Sequence, residues 1–222
     1  MKKISYAILV FGWWVILLSS GGAAIFPYTA ATYTTYFQTG LEREKNIQIS
    51  VRKLNGFILH PGSEFSFNET VTWQIPRDEL GYAPSIINGK LLLASGGGLC
   101  QVASTLYAAA LSAGLTITER KNHSSPVGYI APGLDATVSS TEGIDLKFRN
   151  EGTYPFLITA EEKEGCLTIA ILSCVAPDRK ITLSVTHPSI DGPCINVVTI
   201  RKISFENGHV ITEVISRDRY LR

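Results

Sequence analysis

Three observations predict an α+β fold. A helical pattern opens at a Gly-Gly-Gly-Leu-Cys turn, Gly96 to Cys100. Strand-like segments stand on both sides of it, and everything after Pro155 reads as strands and turns. Together these describe one buried helix packed on antiparallel sheet, with a β-rich C-terminal third.

The elements follow in order. Thr39-Gly40-Leu41-Glu42 has the form of a capping box, and Ile47, Val51 and Leu54 follow at helical spacing before Gly56, so a helix is expected over about 40–55. Phe57 to Leu59 reads as a short strand, His60 to Ser63 as a turn, and Phe65 to Phe67 as a second strand. Residues 69–80 are polar and irregular. Pro84 to Ile87, Asn88-Gly89 and Leu91 to Ala94 form a hairpin pattern. The helix over 101–113 turns Val102, Leu106, Ala109, Ala110 and Ala113 to one face, and Gly114 stops it. Strands are expected over 115–119, 127–130 and 144–148, and then over 156–161, 167–173, 180–186, 195–205 and 209–216.

The 222 residues suffice for one hydrophobic core, and 45% hydrophobic with 18% charged residues is a globular composition. Twenty basic against nineteen acidic residues leave no basic surplus, so no nucleic-acid partner is expected. Lys2-Lys3 before an uncharged run and then Ser19 to Ala24 describe a signal peptide, and Ile4 to Phe26 is also long enough to span a bilayer once. Either way the rest of the chain is expected outside the cytoplasmic membrane. The expected organisation is a leader or anchor over 1–24 and a juxtamembrane segment with the start of the first helix over 25–44. A main domain over 45–175 and a β-hairpin extension over 176–222 complete it.

Cys100, Cys166, Cys174 and Cys194 are too few for a disulfide scaffold. The strand between Cys166 and Cys174 holds those two too far apart to bond. A bridge from either to Cys194, or buried free thiols, remain open.

The segment Gly96–Val102 concentrates the chemistry. It lacks the spacing of a phosphate-binding loop. Cys100 at the first turn of a helix faces unpaired N–H groups and the positive end of the dipole, both of which favour the thiolate. The glycines let a backbone or substrate approach closely. His123 and Asp135 follow on either side of the expected 127–130 strand, the order in which a nucleophile, a base and its orienter occur in cysteine enzymes of the papain type. Gly96, Gly97, Gly98, Gln101 and Ser124 flank these residues and are the candidate substrate contacts. Chemistry alone leaves the alternatives open: Cys100 as a small buried hydrophobe, His123 as a structural hydrogen-bonder, Asp135 as a turn former. Cys100 and His123 lack the companion ligands of a metal site, and His60, His187 and His209 lie in or beside turns.

Several ordered motifs resemble the VanW family, named for a protein that accompanies some vancomycin-resistance clusters. They are Asn55-Gly56, Pro61 to Asn68, Ile87 to Lys90, Gly96 to Val102, Ser104 to Tyr107, His123 to Val127, Asp135 to Val138, Asp145 to Asn150 and Tyr154-Pro155. The family pattern has a histidine where Lys121 stands and an arginine where Leu134 stands. The resemblance implies an exported protein at the outer face of the membrane or in the wall of a Gram-positive bacterium. It implies peptidoglycan or its precursors as partner and L,D-transpeptidation as the chemistry. Cys100 would then be the nucleophile, His123 the base and Asp135 its orienter, and such acyl transfer needs no cofactor. The alternative implied is a non-catalytic accessory module that binds cell-wall precursors or a membrane partner.

Overall fold

The computed structural model describes residues 8–11, 14–19, 22–87 and 90–221, with the backbone course alone for 8–24, 86–91 and 187–191. In and just after the segment expected to be a leader or anchor, β1 (Ile8–Phe11), β2 (Trp14–Ser19) and β3 (Gly22–Ile25) form a small antiparallel sheet. The remaining residues of that segment lie outside the described ones. Among the described residues no helix is long and apolar enough to cross a membrane, a statement about helices alone.

The main sheet is antiparallel and has the order β4-β12-β11-β5. Its strands are β4 (Tyr28–Tyr36), β5 (Phe57–Leu59), β11 (Phe156–Lys163) and β12 (Cys166–Ser173). The edge strand β4 was hidden in the presumed juxtamembrane segment. Its run of threonine, alanine and tyrosine suits a pleated, half-buried surface and pairs along the length of β12. A second sheet joins β6 (Glu64–Ser66), β10 (Lys147–Arg149) and β9 (Thr116–Glu119), with β10 central. Phe65 and Phe148 stack across it, ring centroids 4.6 Å apart.

Two helices carry the site. The first, α1 (Glu42–Leu54), is expected to start from Thr39, but its N-cap is Leu41 with no side-chain cap, and Glu44 instead accepts from the Gly40 N–H at 2.6 Å. A four-residue helix, α2 (Phe67–Thr70), follows β6, with Ser66 rather than a continued strand at the boundary because its hydroxyl accepts from the Glu69 N–H. The central helix, α3 (Leu99–Ser112), starts two residues earlier than its apolar pattern suggests and is buried on every side from Gln101 to Leu111. Its run of Ala108, Ala109 and Ala110 lets β4 and β12 pack closely against it, while α1, β9 and the C-terminal sheet cover the rest.

The C-terminal extension is a three-stranded antiparallel sheet and not a hairpin: β13 (Arg179–Asp191), β14 (Cys194–Phe205) and β15 (Val210–Leu221). A separate hairpin, β7 (Tyr82–Ile87) and β8 (Lys90–Ser95), stands beside the start of α3, its Asn88-Gly89 turn outside the described residues. The expected strand over 127–130 does not form, and residues 120–138 run as an irregular loop. Pro126 and Pro132 lack the N–H that a ladder needs, and Gly128-Tyr129 turns the chain. Ile144 makes an isolated bridge to Ser139, and of the expected 144–148 strand only Lys147 and Phe148 pair, in β10, which runs on to Arg149. All four cysteines are free thiols.

Candidate active site

Cys100 is the second residue of α3, directly after a turn whose shape depends on glycine. Gly98 is the N-cap, with a φ of 119° that side chains rarely adopt. A Cβ on Gly97 would lie 2.6 Å from the Ala83 carbonyl oxygen, so the turn packs hard against β7. The Gly97 carbonyl in turn accepts from the Asn46 side chain on α1 at 2.9 Å. The Cys100 side chain is half-buried, and its Sγ lies 3.6 Å from the Val138 carbonyl oxygen and 3.5 Å from the Val138 N–H. The Cys100 N–H donates to no acceptor among the described residues, as expected of the first turn of a helix.

The loop over 120–138 brings His123 and Asp135 to the same place. His123 Nδ1 lies 2.7 Å from Asp135 Oδ2, and the same oxygen accepts the His123 backbone N–H, also at 2.7 Å. The other oxygen of Asp135 is equally engaged. It accepts from the Tyr220 hydroxyl at 2.5 Å, from Arg120 Nη2 at 3.1 Å and from the Gly133 N–H at 3.3 Å. Arg120 also donates to the Asp135 carbonyl and, at 2.6 Å, to Asp218, with its guanidinium 5.0 Å from the centre of the Tyr107 ring. The histidine, its aspartate and the arginine behind them are thus fixed on all sides.

These contacts set the charges. Burial alone would lower the His123 pKa, but hydrogen bonding to Asp135 and the proximity of Cys100 outweigh it and raise the imidazole to about 9. Burial would raise Asp135, yet the His123 and Tyr220 hydrogen bonds and the Arg120 charge hold it below the ordinary carboxylate range. Near neutral pH these shifts favour an imidazolium paired with a carboxylate. Burial pushes the Tyr107 phenol up to about 12 and that of Tyr129 well above its usual value, so both are neutral.

Cys100 and His123 share a cavity of about 200 Å³ with Arg43, Gln101, Val127 and Tyr129. Gly96 and Gly98 line it as well, whereas Gly97 faces β7. Gln101 reaches the cavity fully engaged: its amide nitrogen donates to Thr35 and to the Tyr36 carbonyl, and its oxygen accepts from Arg43. Ser124 is exposed and outside the cavity, where its carbonyl accepts from the Leu221 N–H. Leu134 sits in the hydrophobic core and does not line the cavity. Lys121 is exposed. A larger hollow of about 450 Å³ lies between β4 and the start of β13 and is lined by no cysteine or histidine.

Four residues of this arrangement escape a reading of the sequence. Arg43 stands in Glu42-Arg43-Glu44-Lys45, which looks like a solvated charged turn. Its spacing from Ile47, Ser50 and Leu54, four, seven and eleven residues on, places it on the buried stripe of α1 and was the available signal. Arg120, Asp218 and Tyr220 carry no local pattern that points to a site.

A model described as VanW like protein matches residues 42–172. An uncharacterized protein, YoaR, of Bacillus subtilis (strain 168) is 39% identical over 142 residues, which are 64% of this chain and 46% of that one. The vancomycin B-type resistance protein VanW of Enterococcus faecalis (strain ATCC 700802 / V583) is 35% identical over 132 residues, 54% of this chain and 46% of the other. The chain therefore spans about half the length of the curated relatives it matches. No solved structure matches.

Proposed function

The chain belongs to the VanW-like protein family, and on that premise we propose that it is a cysteine-dependent acyl transferase acting on peptidoglycan stem peptides, outside the cytoplasmic membrane. The observation that carries this reading is that Cys100 and His123 line one cavity, with Asp135 behind the histidine, 2.7 Å from its Nδ1. The leader with its two lysines supports the location, and the relation to a vancomycin-resistance protein supports the wall as the setting.

In this mechanism the Cys100 thiolate attacks a stem-peptide carbonyl carbon, and the oxygen that gains charge is met by the free Cys100 N–H at the positive end of α3. The tetrahedral intermediate collapses as His123 gives its proton to the leaving amine, leaving a thioester. An acceptor amine then attacks the thioester, its proton passes to His123, and the thiolate leaves. Asp135 stays ionised throughout and holds the imidazole in place. A non-catalytic binding module would favour Cys100 fully buried and His123 turned elsewhere, so the shared cavity speaks for catalysis.

Incubation with a stem tetrapeptide tests the reading by intact mass. A thioester adduct that forms on the native chain and not on Cys100→Ala supports it. No adduct with any stem peptide, together with full biological effect of Cys100→Ala, overturns it.

A further inference from the structure

Leu134 lies in the core, and among the described residues Arg43 is the only arginine or lysine that lines the Cys100 cavity. Its guanidinium is held in place from three directions. Nε and Nη2 both donate to Gln101 Oε1, at 3.2 and 2.8 Å. Nη1 donates to the Pro84 carbonyl at 3.2 Å, and the group lies 5.5 Å from the centre of the Tyr129 ring. Each of these partners is neutral. Two arginines with more buried side chains have carboxylates: Arg120 pairs with Asp135 and Asp218, and Arg201 with Glu213. Arg43 makes no ion pair among the described residues, although Glu42 and Glu44 are its neighbours in sequence.

A guanidinium carries five N–H donors, and three of those of Arg43 are used. One N–H on each terminal nitrogen remains, the fork that matches the two oxygens of a carboxylate. With only neutral hydrogen-bond partners and no carboxylate beside it, such a partly buried group bears a desolvation cost that a bound carboxylate relieves.

We propose that Arg43 is the carboxylate-recognition residue of this site, so that the acyl donor carries a free carboxylate beside the bond that Cys100 breaks. The assignment rests on the acyl-transfer reading above. It restricts the donor to peptides cleaved next to a charged end and disfavours neutral, amidated ones. Gln101 acts through Arg43, as a positioning residue.

Two alkylating agents that differ only in charge provide the test. Iodoacetate presents a carboxylate bonded directly to the reacting carbon, and iodoacetamide is its neutral counterpart. The rate of each at Cys100 is measured by peptide mass spectrometry at pH 6 and normalised to 2-mercaptoethanol. The ratio of the two rates cancels the thiolate fraction. The native chain is expected to favour iodoacetate about tenfold more than the model thiol does, as one charge-assisted pair allows. Arg43→Gln is expected to lose that preference, and Arg43→Lys to keep only part of it.

A native ratio equal to that of the model thiol overturns the assignment, and this arm needs no variant to fold. A raised ratio that survives in Arg43→Gln also overturns it, because another cation, His123, then attracts the reagent. If iodoacetamide itself labels Cys100 no faster than the model thiol, the acyl-transfer reading fails and the assignment with it. Fast iodoacetamide labelling without a raised iodoacetate ratio removes the carboxylate assignment alone.

Discussion

Asp135 shares its two oxygens among five donors from four residues, and this makes it the residue on which the charges of the site depend. Asp135→Asn keeps the shape but removes the charge that favours a protonated His123. It should slow iodoacetamide labelling of Cys100 at pH 6 by about tenfold or more, since loss of the orienting acid in a triad costs orders of magnitude; an unchanged rate would show that His123 does not depend on it. Stability should report the same pairing. The His123 pKa is raised to about 9 from an unfolded value near 6.5, so its contribution is complete below about pH 6.5 and is lost as pH rises through 9. Thermal unfolding of the native chain should therefore fall between pH 6.5 and 9, and His123→Asn should flatten that segment; equal slopes in the two proteins would contradict it. At this scale Cys100, His123 and Asp135 were legible as a group of candidates, because each residue type has its own chemistry and their order along the chain resembles that of cysteine enzymes. Arg120 and Tyr220 were not, since an arginine or tyrosine on a strand carries no mark of what it faces.

The α3 helix and the turn before it show how an element can be read correctly and bounded wrongly. The apolar pattern begins at Val102, but hydrogen bonding begins with Leu99, because the Gly96 and Gly98 carbonyls already accept from Leu99, Gln101 and Val102. The helix therefore includes Cys100 as its second residue, in the first turn where the sequence already placed it. Gly98→Ala should cost about 1–3 kcal/mol, from its positive φ and from an Ile47 contact at 3.1 Å, and chemical denaturation would measure it. No loss would mean that the turn relaxes without glycine. The loop over 120–138 is the opposite case. A strand was expected over 127–130, but the prolines beside it prevent one, and the loop brings residues twelve apart together. Pairing with a distant partner decides such short segments, as it did for β4, whose partner β12 lies more than 130 residues on.

The whole molecule is built so that its last strand closes its site. The family match ends at residue 172, yet Asp218 and Tyr220 on β15 hold Arg120 and Asp135, and the Leu221 N–H donates to Ser124 at 2.7 Å. Thr199 and Arg201 on β14 add bonds to the Gly133 and Leu115 carbonyls. Tyr220→Phe removes a donor to Asp135 and the acceptor of the Gly133 N–H, both buried, and should cost about 1–3 kcal/mol. It should also slow Cys100 labelling, and a variant as stable and as reactive as the native chain would show that the C-terminal sheet is a bystander. The β-rich end was readable as strand-like segments over 180–186, 195–205 and 209–216, although their joining into one three-stranded sheet was not. Their role was not, because it rests on contacts about a hundred residues apart in sequence.

The central claim, that His123 and Asp135 activate Cys100, is tested most directly by the pH dependence of Cys100 alkylation with iodoacetamide. The native chain should retain its full rate well below the pH at which a model thiol loses reactivity, and His123→Ala should return the profile to that of the model thiol. A native profile that already follows the model thiol, or one that His123→Ala leaves in place, would contradict the claim.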